Sequence, residues 1–149
     1  MFSGQNSHAI DEKGRVAVPA KIRDDLQREG HDRVVITNAY SDGSACLDIW
    51  KPHEWDILIE KFKTKKRFAS QVERFEFFYV GSAHEVQVDK QGRILIPQHL
   101  REFANLDREV TFVMLSDKIQ VWNTSTFKEV RKSVNEDAKN REFYKDLDL

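Results

Sequence analysis

Apolar residues recur at two spacings along this chain, and the order in which the spacing changes occurs twice. Two short apolar runs, Val16-Ala17-Val18 and Ile94-Leu95-Ile96, read as strands buried on both faces. Each follows a short strand (Ala9-Ile10 or Val86-Gln87-Val88) and a turn that starts at aspartate and contains glycine. Aspartate can bond the backbone two residues on, and glycine admits a positive φ. Pro19 and Pro97 come next, where a helix can begin because the missing N–H costs nothing there. Short helices are expected over 20–27 and 98–104. Hairpins follow: 33–37 with 46–50 around the turn signal Asp42-Gly43, and 110–115 with 118–122 through Ser116-Asp117. Trp55, Leu58, Ile59 and Phe62 fall at helical spacing, as do Phe68, Val72, Phe75 and Tyr79. Residues 124–134 predict the matching helix of the second half. The expected order is ββαββα, twice, in an α+β fold. Residues 135–149 are polar and acidic-leaning and predict a helix that frays.

The repetition is also written in residue identities. Asp11-Glu12-Lys13-Gly14-Arg15-Val16-Ala17-Val18-Pro19 returns as Asp89-Lys90-Gln91-Gly92-Arg93-Ile94-Leu95-Ile96-Pro97, an offset of 78 residues. Arg23 and Arg101 match at the same offset, and Trp50 has its counterpart in Trp122 after a small loop deletion. One repeat is expected over 7–80 and a second over 83–134, with 135–149 as a tail. No linker rich in proline, glycine or serine separates them, and neither alone offers much core. They are expected to pack as one pseudo-symmetric domain, and interleaved strands are one way to do so.

The chain has 149 residues, the size of one ordinary domain. Lys plus Arg is 24 and Asp plus Glu is 25, a net charge of −1. A globally basic nucleic-acid binder is therefore excluded, and any such site must be a local concentration of positive charge. The single cysteine, Cys46, excludes an internal disulfide and a cysteine-based zinc cluster, and points to a reducing compartment. His8, His31, His53, His84 and His99 show no metal-ligand spacing, and no metal or cofactor is expected. The first residues lack the apolar segment of a signal peptide, and no apolar run approaches the roughly 18 residues of a membrane span. A cytoplasmic protein is expected.

With these residues the chain resembles the MraZ family of bacterial transcriptional regulators. The resemblance rests on the opening Met1-Phe2 with Gly4 and His8, on Asp11, Lys13, Gly14 and Arg15, on Pro19, Lys21 and Arg23, and on the second turn with Asp89, Gly92 and Arg93. It covers nearly the whole chain. It implies an AbrB-like, swapped-hairpin β-barrel with flanking helices, built here from two repeats in one chain. It also implies a homo-oligomeric ring of eight or more subunits that binds double-stranded DNA at short direct repeats. The implied role is repression of the cell-division and cell-wall gene cluster, its own operon included, at the nucleoid. Ser3 stands where arginine is common in that family, which removes one phosphate contact.

The turns supply the candidate chemistry. Arg15 and Arg93 carry planar forks that can read guanine O6 and N7 or clasp phosphate. Lys13 suits a phosphate contact; Gln91 replaces it in the second turn, which ranks the first turn higher. Gly14 is part of the same candidate DNA-binding set, with Lys21 and Arg23 as flanking contacts and Arg101 beside them. Asp11, Asp89 and Gly92 are expected to orient the turns rather than touch DNA, because a carboxylate repels phosphate. The same pattern fits a purely structural hairpin in which arginine pairs back to aspartate, and a ring scaffold without specific DNA recognition is the alternative function. The basic run from Lys61 to Arg67 fits a solvated helix junction as well as a nucleic-acid footprint. Cys46, Trp50, Trp55, Trp122 and Phe127 read as core, and His8 as a residue fixing the first strand. No nucleophile elbow, phosphate-cradling loop or metal cluster points to an enzyme.

Overall fold

In the computed structural model, which describes residues 5–65 and 70–148, the two halves exchange strands. The first half holds β1 (Gln5–Ala9), β2 (Arg15–Ala17), α1 (Ala20–Glu29), β3 (Arg33–Ser41), β4 (Ser44–Trp50), α2 (Pro52–Lys63) and α3 (Ser70–Tyr79). The second holds β5 (His84–Gln87), β6 (Arg93–Leu95), α4 (Gln98–Phe103), β7 (Glu109–Met114), β8 (Ile119–Asn123), α5 (Thr124–Asp137) and a 3-10 turn, Arg141–Tyr144. The order ββαββα is present twice, so the fold is α+β. Met1–Gly4 and the end of the basic run with Phe68 lie outside the described residues.

Local chemistry sets these elements. Pro19 and Pro97 stand at the N-caps of α1 and α4 with φ near −54°. Gly30 ends α1 in the left-handed region, and His31 N–H reaches back to the Leu26 carbonyl. Asp42 and Gly43 both have positive φ, 53° and 78°, as a tight two-residue hairpin turn requires. The side chain of Asn123 accepts the Thr126 N–H at 3.1 Å and starts α5. Instead of a fraying helix, the tail ends α5 at Asp137 and continues into the 3-10 turn.

Six strands form an antiparallel sheet in the order β1-β7-β8-β4-β3-β5, and β2 pairs with β6 as a separate ribbon. Thus β1 of the first half joins β7 of the second, and β5 of the second joins β3 of the first. Among the described residues the ladders end at β1 and β5, so strand pairing leaves an open sheet rather than a closed barrel. Past those edges the chain makes one more bond on each side, Ile10 N–H to Arg108 and Val88 N–H to Asp32. It then leaves the sheet through the two aspartate turns to form the ribbon.

Alternation along the strands builds two cores. Val34, Ile36, Leu47, Ile49, Val110, Phe112 and Val121 face Val16, Val18, Ile94 and Ile96 of the ribbon region, with Ile22, Leu26 and Leu100 of α1 and α4. Val35, Ala39, Cys46, Trp50 and Trp122 face the other way, toward Tyr79 of α3 and the half-buried Trp55, Leu58, Phe127 and Val130 of α2 and α5. The expected aromatic and cysteine core is therefore present; burial pushes the Cys46 thiol up to about 12, with the Asp48 charge adding to it. His8, on β1, meets Phe112 of β7 edge-on, with ring centroids 5.1 Å apart. In the second core Asp48 accepts the Tyr79 hydroxyl and, at 3.1 Å, the Lys118 ammonium. The Trp50 indole N–H donates to the Tyr79 oxygen at 2.8 Å.

A further expectation, that of the doubly buried runs, is corrected. The runs at Val16 and Ile94 are not buried on both faces: Val16, Val18, Ile94 and Ile96 point inward, while Ala17 is half-buried and Leu95 exposed. A two-stranded ribbon lying on a sheet has one side to bury, and among the described residues no element covers its outer side.

Candidate nucleic-acid interface

Both aspartate turns have the same construction. Asp11 Oδ1 accepts the backbone N–H of Lys13 at 3.0 Å and of Arg15 at 2.9 Å, while Oδ2 accepts Arg15 Nε at 2.8 Å. Asp89 repeats this with Gln91 at 2.8 Å, Arg93 N–H at 2.9 Å and Arg93 Nε at 3.2 Å. Gly14 (φ 92°) and Gly92 (φ 78°) close the turns, each donating its N–H to the aspartate carbonyl. The backbone N–H of the arginine is the largest influence holding each carboxyl below the usual carboxylate range, and the guanidinium charge adds to it. Each arginine is thus tethered through Nε, and both of its terminal nitrogens lack a protein acceptor among the described residues.

The ribbon brings the turns into one site. Arg15 stands opposite Leu95, Val16 opposite Ile94, and Ala17 opposite Arg93. Bonds from Val18 N–H to the Gly92 carbonyl and from Ile96 N–H to the Gly14 carbonyl, each 2.9 Å, extend the ladder at both ends. Since Val16 and Ile94 are buried, Arg15, Ala17, Arg93 and Leu95 share the outer face, with the arginines on a diagonal. Diagonal neighbours across an antiparallel pair lie roughly 7–8 Å apart.

The other sequence candidates divide by position. Lys13 is exposed on the first turn. Arg23 packs against the buried Gly92, on the second turn, and Arg101 packs against the buried Gly14, on the first, with its Nε donating to the Ile96 carbonyl at 2.9 Å. Each repeat therefore lays an arginine over the other repeat's turn. Lys21 is elsewhere: its ammonium pairs with Asp25 at 3.2 Å and lines a separate cleft with Lys51 and Lys118. Of the basic run, Lys61 and Lys63 lie in the last turn of α2, where Lys63 pairs with Glu60.

Two residues escaped the sequence reasoning. Lys90 is exposed on the second turn, at the position that Glu12 holds on the first, so charge does not favour the first turn. The offset of 78 already carried that signal. The apolar run 94–96 predicts Leu95 as core, and only the burial of its neighbours shows that it faces out. His84 and His99, 15 positions apart, bring their Nε2 atoms to 3.2 Å at the surface.

The family model described as "MraZ protein, putative antitoxin-like" matches residues 1–78 and again 79–146. A protein named transcriptional regulator MraZ from Caldanaerobacter subterraneus is 38% identical over 91% of this chain and 90% of its own length. Proteins of the same name from a Marinomonas species and from Thermoanaerobacter pseudethanolicus are each 36% identical, over 93% and 99% of this chain and 91% and 97% of theirs.

Proposed function

The chain belongs to the MraZ family, and from that premise we propose that it is a DNA-binding transcriptional regulator whose reading surface is the outer face of the β2–β6 ribbon. The observation that carries this reading is the pair of aspartate-braced arginines on that face. A two-stranded ribbon fits the major groove, and arginine is the commonest side chain to read guanine there. Tethering each guanidinium through Nε lowers the ordering cost of binding and directs its two terminal nitrogens outward. Asp11, Asp89 and Gly92 are orienting residues in this scheme. Lys13 and Lys90 take phosphates beside the turns, Gly14 lets the backbone bend there, and Arg23 and Arg101 flank opposite ends of the ribbon. Lys21, paired with Asp25 beside a separate cleft, is the proposed contact that lies neither on the ribbon nor against its turns.

One ribbon per subunit binds weakly. A homo-oligomeric ring, as the family resemblance implies, presents many, and linked sites gain avidity of roughly 10² to 10⁴. Such a ring fits short direct repeats and repression of the cell-division and cell-wall cluster together with its own operon, in the cytoplasm at the nucleoid. Phe77, 84% exposed on α3, and Ile57, 41% exposed on α2, are apolar side chains left open to solvent, and each supports a neighbouring subunit. The exchange of β1 and β5 between repeats 7–80 and 83–134 supports a swapped-hairpin, AbrB-like descent. No helix among the described residues is long and apolar enough to cross a membrane. The alternative, a ring scaffold, is favoured by the internal pairing of both arginines.

Fluorescence anisotropy separates the two. At about 150 mM salt, nonspecific binding is weak, with Kd roughly 10⁻⁴ to 10⁻⁶ M. A fragment from upstream of the gene is expected to bind far more tightly than a scrambled one. Arg15→Ala and Arg93→Ala should each weaken that binding at least about five-fold, since a bidentate base contact is worth about 1–3 kcal/mol. Equal weak binding to both fragments, or a variant that loses thermal stability while binding normally, overturns the proposal.

A further inference from the structure

Leu95 is an exposed leucine that the fold holds outward. Its neighbours Ile94 and Ile96 are buried to within about 1% of their surface, so the pleat cannot turn Leu95 inward without expelling them. It is 53% exposed and stands directly opposite Arg15. The face it occupies is otherwise formed by Arg15, Arg93 and Ala17, and the position equivalent to Leu95 at the offset of 78 is Ala17. The ribbon therefore repeats its arginines under the pseudo-two-fold but not its apolar contact. One end presents a branched four-carbon side chain beside a guanidinium; the other presents a methyl.

We propose that Leu95 is a specificity-determining residue that packs on the C5-methyl group of a thymine next to the base pair read by Arg15, and that the Leu95/Ala17 difference gives the ribbon a direction on DNA. The inference rests on the ribbon being the DNA-reading surface. In the major groove the thymine methyl is the apolar feature that distinguishes T·A from the other pairs, and an apolar side chain is what recognises it. The distances agree in scale: cross-strand neighbours such as Leu95 and Arg15 lie about 5 Å apart, between one and two base steps of about 3.4 Å. A ribbon with identical ends would read a site equally in both orientations. Unequal ends favour one orientation, which suits sites arranged head to tail.

The test replaces each thymine of the bound upstream fragment, one at a time, by deoxyuridine, which removes only the methyl group. Binding of the full chain is followed by anisotropy. The wild type is expected to lose about four-fold at one thymine per site, the worth of one methyl-sized apolar group removed from water. Leu95→Ala should be insensitive to deoxyuridine at that thymine while keeping its far-ultraviolet circular dichroism and melting temperature, since the removed atoms are exposed. The double exchange Ala17→Leu with Leu95→Ala should move the sensitive thymine to the other side of the site. If Leu95→Ala weakens binding but keeps the wild-type deoxyuridine profile, the proposal is overturned while DNA reading by the ribbon stands. If no thymine is sensitive in the wild type, it is overturned likewise. A wild-type chain that does not prefer the upstream fragment at all overturns both readings.

Discussion

At Asp11 a single carboxylate holds a turn together and aims an arginine, and Asp89 does the same. Both carboxyls are held below the ordinary aspartate value of about 3.9. Their folded pKa is depressed, so their contribution to stability is fully present above the ordinary value and is lost as pH falls through the folded values. The amide chemical shifts of Arg15 and Arg93 in NMR are expected to follow protonation of Asp11 and Asp89, changing with midpoints below the ordinary aspartate value and staying constant across neutral pH. Both groups are exposed and screened by solvent, so Asp11→Asn should shift the melting temperature little while weakening DNA binding. Gly14→Ala should cost about 1–2 kcal/mol in a denaturant titration, because φ is positive there and the new Cβ would displace Arg101. Tyr79→Phe removes a donor to the buried Asp48 and the acceptor of the Trp50 indole N–H, and is expected to cost about 1–3 kcal/mol by the same measurement.

Among the elements, those with a strong local signal match their expected places closely. The hairpin at Asp42-Gly43 combines a turn that needs two positive φ angles with alternating flanks, and α1 begins right after its proline. The weak signals are the strands whose partners are remote. In β1, Gln5, Asn6, Ser7 and His8 read as polar, and only their pairing with β7 makes them a strand; an edge strand tolerates polar side chains because it is covered on fewer sides. The ribbon strands read as fully buried because an apolar triplet carries no record of what covers each face. Sheet burial predicts its own hierarchy. Phe112 is fully buried at the centre of β7 beside His8, so Phe112→Ala should cost about 3–5 kcal/mol. Leu95→Ala, on the ribbon's outer face, should cost a few tenths at most.

For the molecule as a whole, the exchange of β1, β5 and the ribbon strands makes each half incomplete. Every one of these strands pairs with a strand of the other repeat. Separately expressed halves, cut between α3 and β5, are expected to show no cooperative thermal transition, and an equimolar mixture should recover one. A self-folding half would show that the exchange is dispensable. Charge acts at the same scale. The chain is nearly neutral, so the proposed DNA affinity must come from a local face. If an assembly neutralises about six phosphates, log K should fall with log salt at a slope near −5.

By itself the sequence determined the repeat, the order of strands and helices, and the two arginine turns. Turn chemistry, helix starts and amphipathic spacing act over a few residues, and the duplication shows by comparison along the chain. Only the tertiary structure decided which strands pair between the repeats, which side of the ribbon faces out, and that Arg23 and Arg101 each cover the turn of the opposite repeat. Those outcomes depend on contacts between residues roughly 50 to 110 positions apart. There the sequence states what is apolar but not what covers it, and Leu95 is exposed because the ribbon meets the core with one face alone.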